Sequence, residues 1–165
     1  MRAVQRLRLI PRVMLATLAI GALMAPAVLS AKELPTDRCA LLPASELQKV
    51  VGGTFGAPGS SVAPPAFAGL PPGTECDYTA GGAGGKVVFI VYVDPSAATA
   101  KETFAKLTPY YGVKSSPPHL GDTAYVDQSN AIHVLKGKVR FYINVTPTPS
   151  DRELIELAAW VAGQL

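Results

Sequence analysis

Histidine is nearly absent from this chain of 165 residues, which holds only His119 and His133. Neither has another histidine or a cysteine within four positions, so the spacing that builds a zinc site is missing. No Gly-x-Ser-x-Gly turn presents a serine nucleophile, and no Cys-x-x-Cys pair marks a redox or metal site. Charge is also sparse, at 16% of residues. The one glycine-rich run, Ala80-Gly-Gly-Ala-Gly-Gly-Lys86, has Ala80 where a phosphate-cradling loop needs Gly and Val87 where it needs Ser or Thr. It also leads into a strand, not into a helix whose N-terminus could hold an anion. It reads as a hairpin loop. These absences leave no catalytic residue, no metal ligand and no cofactor to name from the sequence.

A long apolar run is missing too. Arg2, Arg6, Arg8 and Arg12 precede the uncharged stretch Val13–Met24, which ends in Pro26 and small residues at Ala25, Ala27, Ser30 and Ala31. A membrane span needs ~20 apolar residues, and Gly21 and Pro26 interrupt this one. A basic head, an apolar middle and a small-residue exit describe a secretory signal peptide over residues 1–31, cleaved between Ala27 and Lys32. The membrane then meets only the uncleaved precursor, and the mature chain is periplasmic or secreted. Its four arginines leave with the leader, so Lys+Arg falls from 15 to 11 against 12 Asp+Glu and the formal charge moves from +3 to −1. A nearly neutral product has no general pull toward nucleic acid or anionic lipid.

Cys39 and Cys76 both lie in the exported part, and an even count in an oxidising compartment reads as one disulfide. After a linker, residues 32–38, a single domain is expected over 39–165. Pro43 and Gly52 bracket a short helix. Thr54–Thr74, rich in Pro and Gly, shows no period and reads as an irregular surface loop. Thr74–Thr79 reads as a strand. Lys86–Val93 is a longer one, with Val87, Phe89, Val91 and Val93 on one face and Val88, Ile90 and Tyr92 on the other, hence central and covered on both sides. Asp94-Pro95 opens a helix with Asp94 as cap, and Ala97, Ala100, Phe104, Leu107 and Tyr111 follow at helical spacing. A strand near Val126 precedes a hairpin. With Lys136-Gly137 as its two-residue turn, Val134 faces Val139, and Ile132, Val134, Val139, Phe141, Ile143 and Val145 share one side. A closing helix starts at a capping box, Ser150 with Glu153, and carries Leu154, Leu157, Ala158, Val161 and Leu165 on one face, with Trp160 off it.

The run Cys39-Ala-Leu-Leu, Glu46, Gly52-Gly53, Cys76-Asp-Tyr78, Leu120-Gly-Asp-x-Ala124 and a closing amphipathic helix resembles small bacterial exported domains of unknown function, many of them lipoproteins. The resemblance implies an exported domain and carries no catalytic residues. Thr36-Asp37-Arg38 before Cys39 departs from the small and apolar residues that precede an acylated cysteine.

These readings add up to an α+β domain: a mostly antiparallel sheet of about five strands in the order αββαβββα, with helices packed on one face. The opposite face would present Tyr92, His133, Arg140 and Tyr142 among Val88, Ile90, Leu135 and Asn144, a mixed surface able to line a cleft under the Thr54–Thr74 loop. The expected function is a non-catalytic exported binding module, its partner a small amphiphilic ligand or an envelope protein; the alternative is a small secreted hydrolase with scattered catalytic residues.

Overall fold

A computed structural model describes residues 33–81 and 85–165; the segment read as a signal peptide and the centre of the glycine run lie outside the described residues. The described residues fold as α+β around one antiparallel sheet of six strands in the order β1-β2-β3-β6-β5-β4, where β1 is Gly59–Ala63, β2 Gly73–Thr79, β3 Lys86–Val93, β4 Thr123–Val126, β5 Ile132–Lys136 and β6 Val139–Thr146. Among the described residues three α-helices complete it: α1 (Ala44–Val51), α2 (Ala97–Tyr111) and α3 (Asp151–Gln164).

β3 and β6 pair over eight residues at the centre of the sheet, from Lys86 opposite Thr146 to Val93 opposite Val139. Their odd-numbered side chains, Val87, Phe89 and Val91 with Phe141, Ile143 and Val145, are buried against α3, whose inner face is Leu154, Leu157, Ala158, Val161 and Ala162. Phe89 and Phe141 meet edge to face at 6.1 Å, an arrangement that contributes ~0.5–1.5 kcal/mol beyond area burial. Ser150 and Glu153 form the expected capping box.

Cys39 and Cys76 are joined, with Cα atoms 5.7 Å apart. The bridge fixes a 3-10 turn at Arg38–Leu41 against β2, where Asp37 accepts from the Cys39 amide at 2.9 Å. The fully buried Tyr78 hydroxyl is shared between the Cys39 and Leu42 carbonyls, and burial, with Asp37 nearby, pushes that phenol far above its ordinary range. Leu34, within the segment read as a linker, packs partly against this core.

Four expectations change. The sheet has six strands and the order is αβββαβββα, because Gly59–Ala63 pairs with β2 inside the stretch read as irregular. Only Ala63 of that strand is buried, so main-chain hydrogen bonds hold it and no alternation of side chains announces it. The hairpin turn is Gly137-Lys138, with Gly137 at φ 56°, and Val134 faces Phe141, two residues from the expected pairing. Two is an even shift, so the six apolar residues still share a face. The α2 cap is Ser96, which accepts from the Thr99 amide at 3.1 Å, while Asp94 is buried elsewhere.

The fourth change matters most for the site. α2 does not lie beside α3 but on the opposite face, where Ala100 and Phe104 pack on Tyr125 and Leu135. β3, β5 and β6 carry apolar residues on both faces, so the sheet needs a helix on each side, and one layer of helices would have left the second face wet.

Candidate functional site

The pairing of β3, β6, β5 and β4 lays two rows of side chains across the face beneath α2. One row runs Ile90, Tyr142, His133, Tyr125; the other runs Tyr92, Arg140, Leu135. Phe104, Leu107 and Tyr111 of α2 form one wall and Pro64, Pro65 and Ala66, just after β1, form the other. The space between is a cleft of about 410 Å³. The Tyr92 hydroxyl donates to the Pro64 carbonyl at 3.1 Å and so ties the proline wall to the sheet. A Cβ on Gly73 would lie 2.7 Å from the Tyr92 ring, so only glycine lets that ring lie flat at the rim.

Two polar side chains, Arg140 and His133, are buried in the floor, each held by a carboxylate. Arg140, 4% exposed, gives Nε and Nη2 to the two oxygens of Asp94, itself 3% exposed, and its guanidinium lies 4.8 Å from the Tyr92 ring centre. Nη1 is left over from this bidentate pair.

His133 Nε2 lies 2.9 Å from Asp127 Oδ2. The other oxygen, Oδ1, accepts from the Ser129 amide (2.8 Å), the Ser129 hydroxyl (2.7 Å) and the Ala131 amide (2.9 Å), which locks the turn after β4. Burial would raise the Asp127 pKa, but hydrogen bonds from Ala131, His133 and Ser129 outweigh it and hold the carboxyl below its ordinary value. Burial lowers the His133 pKa, against the pull of Asp127. A neutral imidazole beside a carboxylate carries its proton on Nε2, leaving Nδ1 as an acceptor. The ring is boxed by Tyr125, stacked at 4.6 Å, Tyr111 at 4.7 Å and Tyr142 at 5.0 Å. Burial, the largest cause in each case, pushes Tyr125 and Tyr142 up to about 12 and also raises Tyr92, so these phenols stay neutral donors near pH 7. The Tyr125 hydroxyl is buried beside the Thr108 hydroxyl, which donates to the Phe104 carbonyl at 2.8 Å and keeps its lone pairs toward the phenol.

Acidification should lower stability in two steps. Both groups bind protons less readily in the folded chain, so the unfolded chain takes up more as pH falls. The His133 step begins near its unperturbed 6.5 and ends below its lowered folded value; the Asp127 contribution, present above 3.8, is lost as pH falls through its own lowered value. Urea midpoints measured from pH 8 to 3 should show the upper step, and His133→Asn should erase it. A flat midpoint from pH 7 to 5 would contradict the assignment.

All four side chains singled out from the sequence, Tyr92, His133, Arg140 and Tyr142, line this one cleft. The prolines of the Thr54–Thr74 segment cover it. Missed were Asp94, Asp127, Tyr125 and the α2 wall with Tyr111. Asp127-Gln-Ser-Asn130 carries the turn chemistry of an Asp that bonds its own backbone two residues on, and that signal could have found it. The pairing of Asp94 with Arg140, 46 positions apart, has no local signal at all.

The His133–Asp127 contact has two members of an acyl-transfer triad, but the nearby serine is on the wrong group. Ser129 donates to the carboxylate, and among the described residues no serine hydroxyl bonds His133. The arrangement holds the imidazole in a fixed orientation.

No family model and no curated protein matches this sequence. Among solved structures the chain is similar to the extracellular domain of PknH from Mycobacterium tuberculosis, with a TM-score of 0.56 and 15% identity, covering 81% of this chain and 97% of that one. At that identity the likeness is one of fold.

Proposed function

We propose that this chain is an exported, non-catalytic binding module that takes a small amphiphilic ligand in the cleft between α2 and the sheet. One observation carries the reading: a guanidinium and an imidazole, Arg140 and His133, are desolvated in the cleft floor beside apolar walls, each oriented by its own buried carboxylate. Buried charges are costly to a fold, and hydrophobic packing would have served stability as well. A volume of about 410 Å³ falls in the range of small-molecule sites. The signal-like leader, the disulfide and the likeness to an extracellular domain support a periplasmic or secreted setting, as does the resemblance to exported domains without a lipid-attachment cysteine.

The test is native mass spectrometry of the mature protein purified from its own cell envelope. A small molecule should co-purify, and Tyr92→Ala with Tyr142→Ala should lose it, with a drop in affinity of at least about tenfold, since truncating central aromatic contacts typically costs over ~1.4 kcal/mol. Retention of the same molecule by the double variant would remove the cleft from consideration. Co-purification of a polypeptide in its place would point to the protein-partner alternative.

A further inference from the structure

Resting on the binding reading above, the question is which class of ligand this cleft would accept. Four groups present free polar atoms to it, and their chemistry is mixed. Arg140 offers Nη1–H, His133 offers the Nδ1 lone pair, Tyr142 offers a hydroxyl that both donates and accepts, and the Tyr92 hydroxyl, which donates to the Pro64 carbonyl, offers a lone pair. They stand on neighbouring strands ~4.8 Å apart. Beside them Val88 and Ile90 add an apolar strip to the sheet floor, and Phe104 and Leu107 of α2 an apolar wall.

The charges behind these groups are sealed. Asp94, 3% exposed, is consumed by Arg140; Asp127, 1% exposed, already has four hydrogen bonds. In the cleft floor a ligand cation therefore finds no open carboxylate, and the aromatic box that would suit it is filled by the His133 imidazole. A ligand anion fares no better. Arg140 is neutralised by Asp94, while Asp127 beside a neutral histidine leaves one uncompensated negative charge, and Glu75, opposite Ile90 in the same row, adds another at the edge.

We infer that the cleft is built for an uncharged, polyhydroxylated group with a flat apolar side, a sugar ring, and that it discriminates against phosphates and carboxylates. Hydroxyls satisfy a mixed set of donors and acceptors, and the C–H face of a sugar lies on tyrosine rings and aliphatic side chains. The same chemistry is found in a free sugar and in the headgroup of a glycolipid.

Three probes of equal chain length separate the classes: octyl β-D-glucoside, octyl phosphate and octyltrimethylammonium, each below its micellar concentration, with binding read by calorimetry and by the NMR shifts of the Tyr142 and Tyr111 rings. The glucoside should bind at least about tenfold more tightly than either charged probe. Asp127→Asn removes a negative charge and reverses the hydrogen bond to Nε2, so Nδ1 becomes a donor; octyl phosphate should then gain about tenfold or more, as a unit charge several ångströms away in a partly buried site implies. Methyl β-D-glucoside is the source arm: equal binding indicates a free sugar, binding of the octyl form alone indicates a lipid-linked one, and both support the class. A charged probe that binds as tightly as the glucoside and shifts the same rings overturns the class while leaving the cleft a binding site. If none of the probes moves those rings, the binding reading fails with it. The wild-type comparison decides the matter even should Asp127→Asn not fold.

Discussion

Asp94→Ala is expected to destabilise the protein by about 3–5 kcal/mol, the cost of leaving a buried charge without its partner. Arg140 is 4% exposed, and Asp94 takes two of its N–H groups; with the carboxylate gone, the guanidinium keeps only the Tyr92 ring beneath it and its single open edge. The fold has an alternative that makes the prediction sharp. Asp94→Leu with Arg140→Met replaces the pair by apolar groups of similar bulk, and most of the lost stability should return. Urea denaturation of the three proteins measures both effects through their midpoints. A loss under about 1 kcal/mol for Asp94→Ala would mean that water reaches Arg140 freely, contrary to its burial.

The second large effect is at the bridge. Replacing Cys39 and Cys76 together by alanine releases a closed loop of about 38 residues, which the chain-entropy model values at ~3–4 kcal/mol. The loss should be structural and local to one side of the sheet. Cys76 sits opposite Phe89 on the core face, whereas the cleft groups project from the other face. Thermal denaturation should therefore show a midpoint lower by some 10–20 °C, taking 1 kcal/mol as roughly 4 °C for a domain of this size. Glucoside binding at 20 °C should survive in whatever fraction remains folded. A midpoint unchanged by the double substitution would show that the buried contacts of Leu41, Leu42 and Tyr78 already hold the N-terminal turn in place without the covalent link.

The legible parts of this fold were those where side chains alternate or repeat. β3 could be bounded as Lys86–Val93 because both its faces are apolar, and α3 because its cap and its buried stripe fall at fixed spacings. β1 could not be found, since a strand held by its backbone with four of five residues in solvent leaves no periodic trace. The hairpin shows a finer limit. Pattern fixes which face a residue takes, but only the turn fixes the pairing, and Gly137-Lys138 serves as well as Lys136-Gly137 until both strands are counted out. The layer assigned to α2 was wrong for a related reason. Its stripe says that it is amphipathic and is silent on which side of a two-faced sheet it covers. In the cleft, Tyr92, His133, Arg140 and Tyr142 could be grouped because strand parity groups them. Their carboxylate partners come from segments before α2 and after β4, and nothing in the spacing of Asp94 or Asp127 joins them to strands 6 or 46 residues away.

The separation of odd from even positions along β3 and β6 has one more consequence. Val87, Phe89, Val91, Phe141, Ile143 and Val145 serve the interior, while Val88, Ile90, Tyr92, Arg140 and Tyr142 face the other way. A library that randomises the second set, with Arg140 kept because Asp94 depends on it, can therefore rewrite recognition while the core set that directs folding is unchanged. The molecule is in that sense two-sided type: one set of letters is read by the chain itself, and the interleaved set is open to composition.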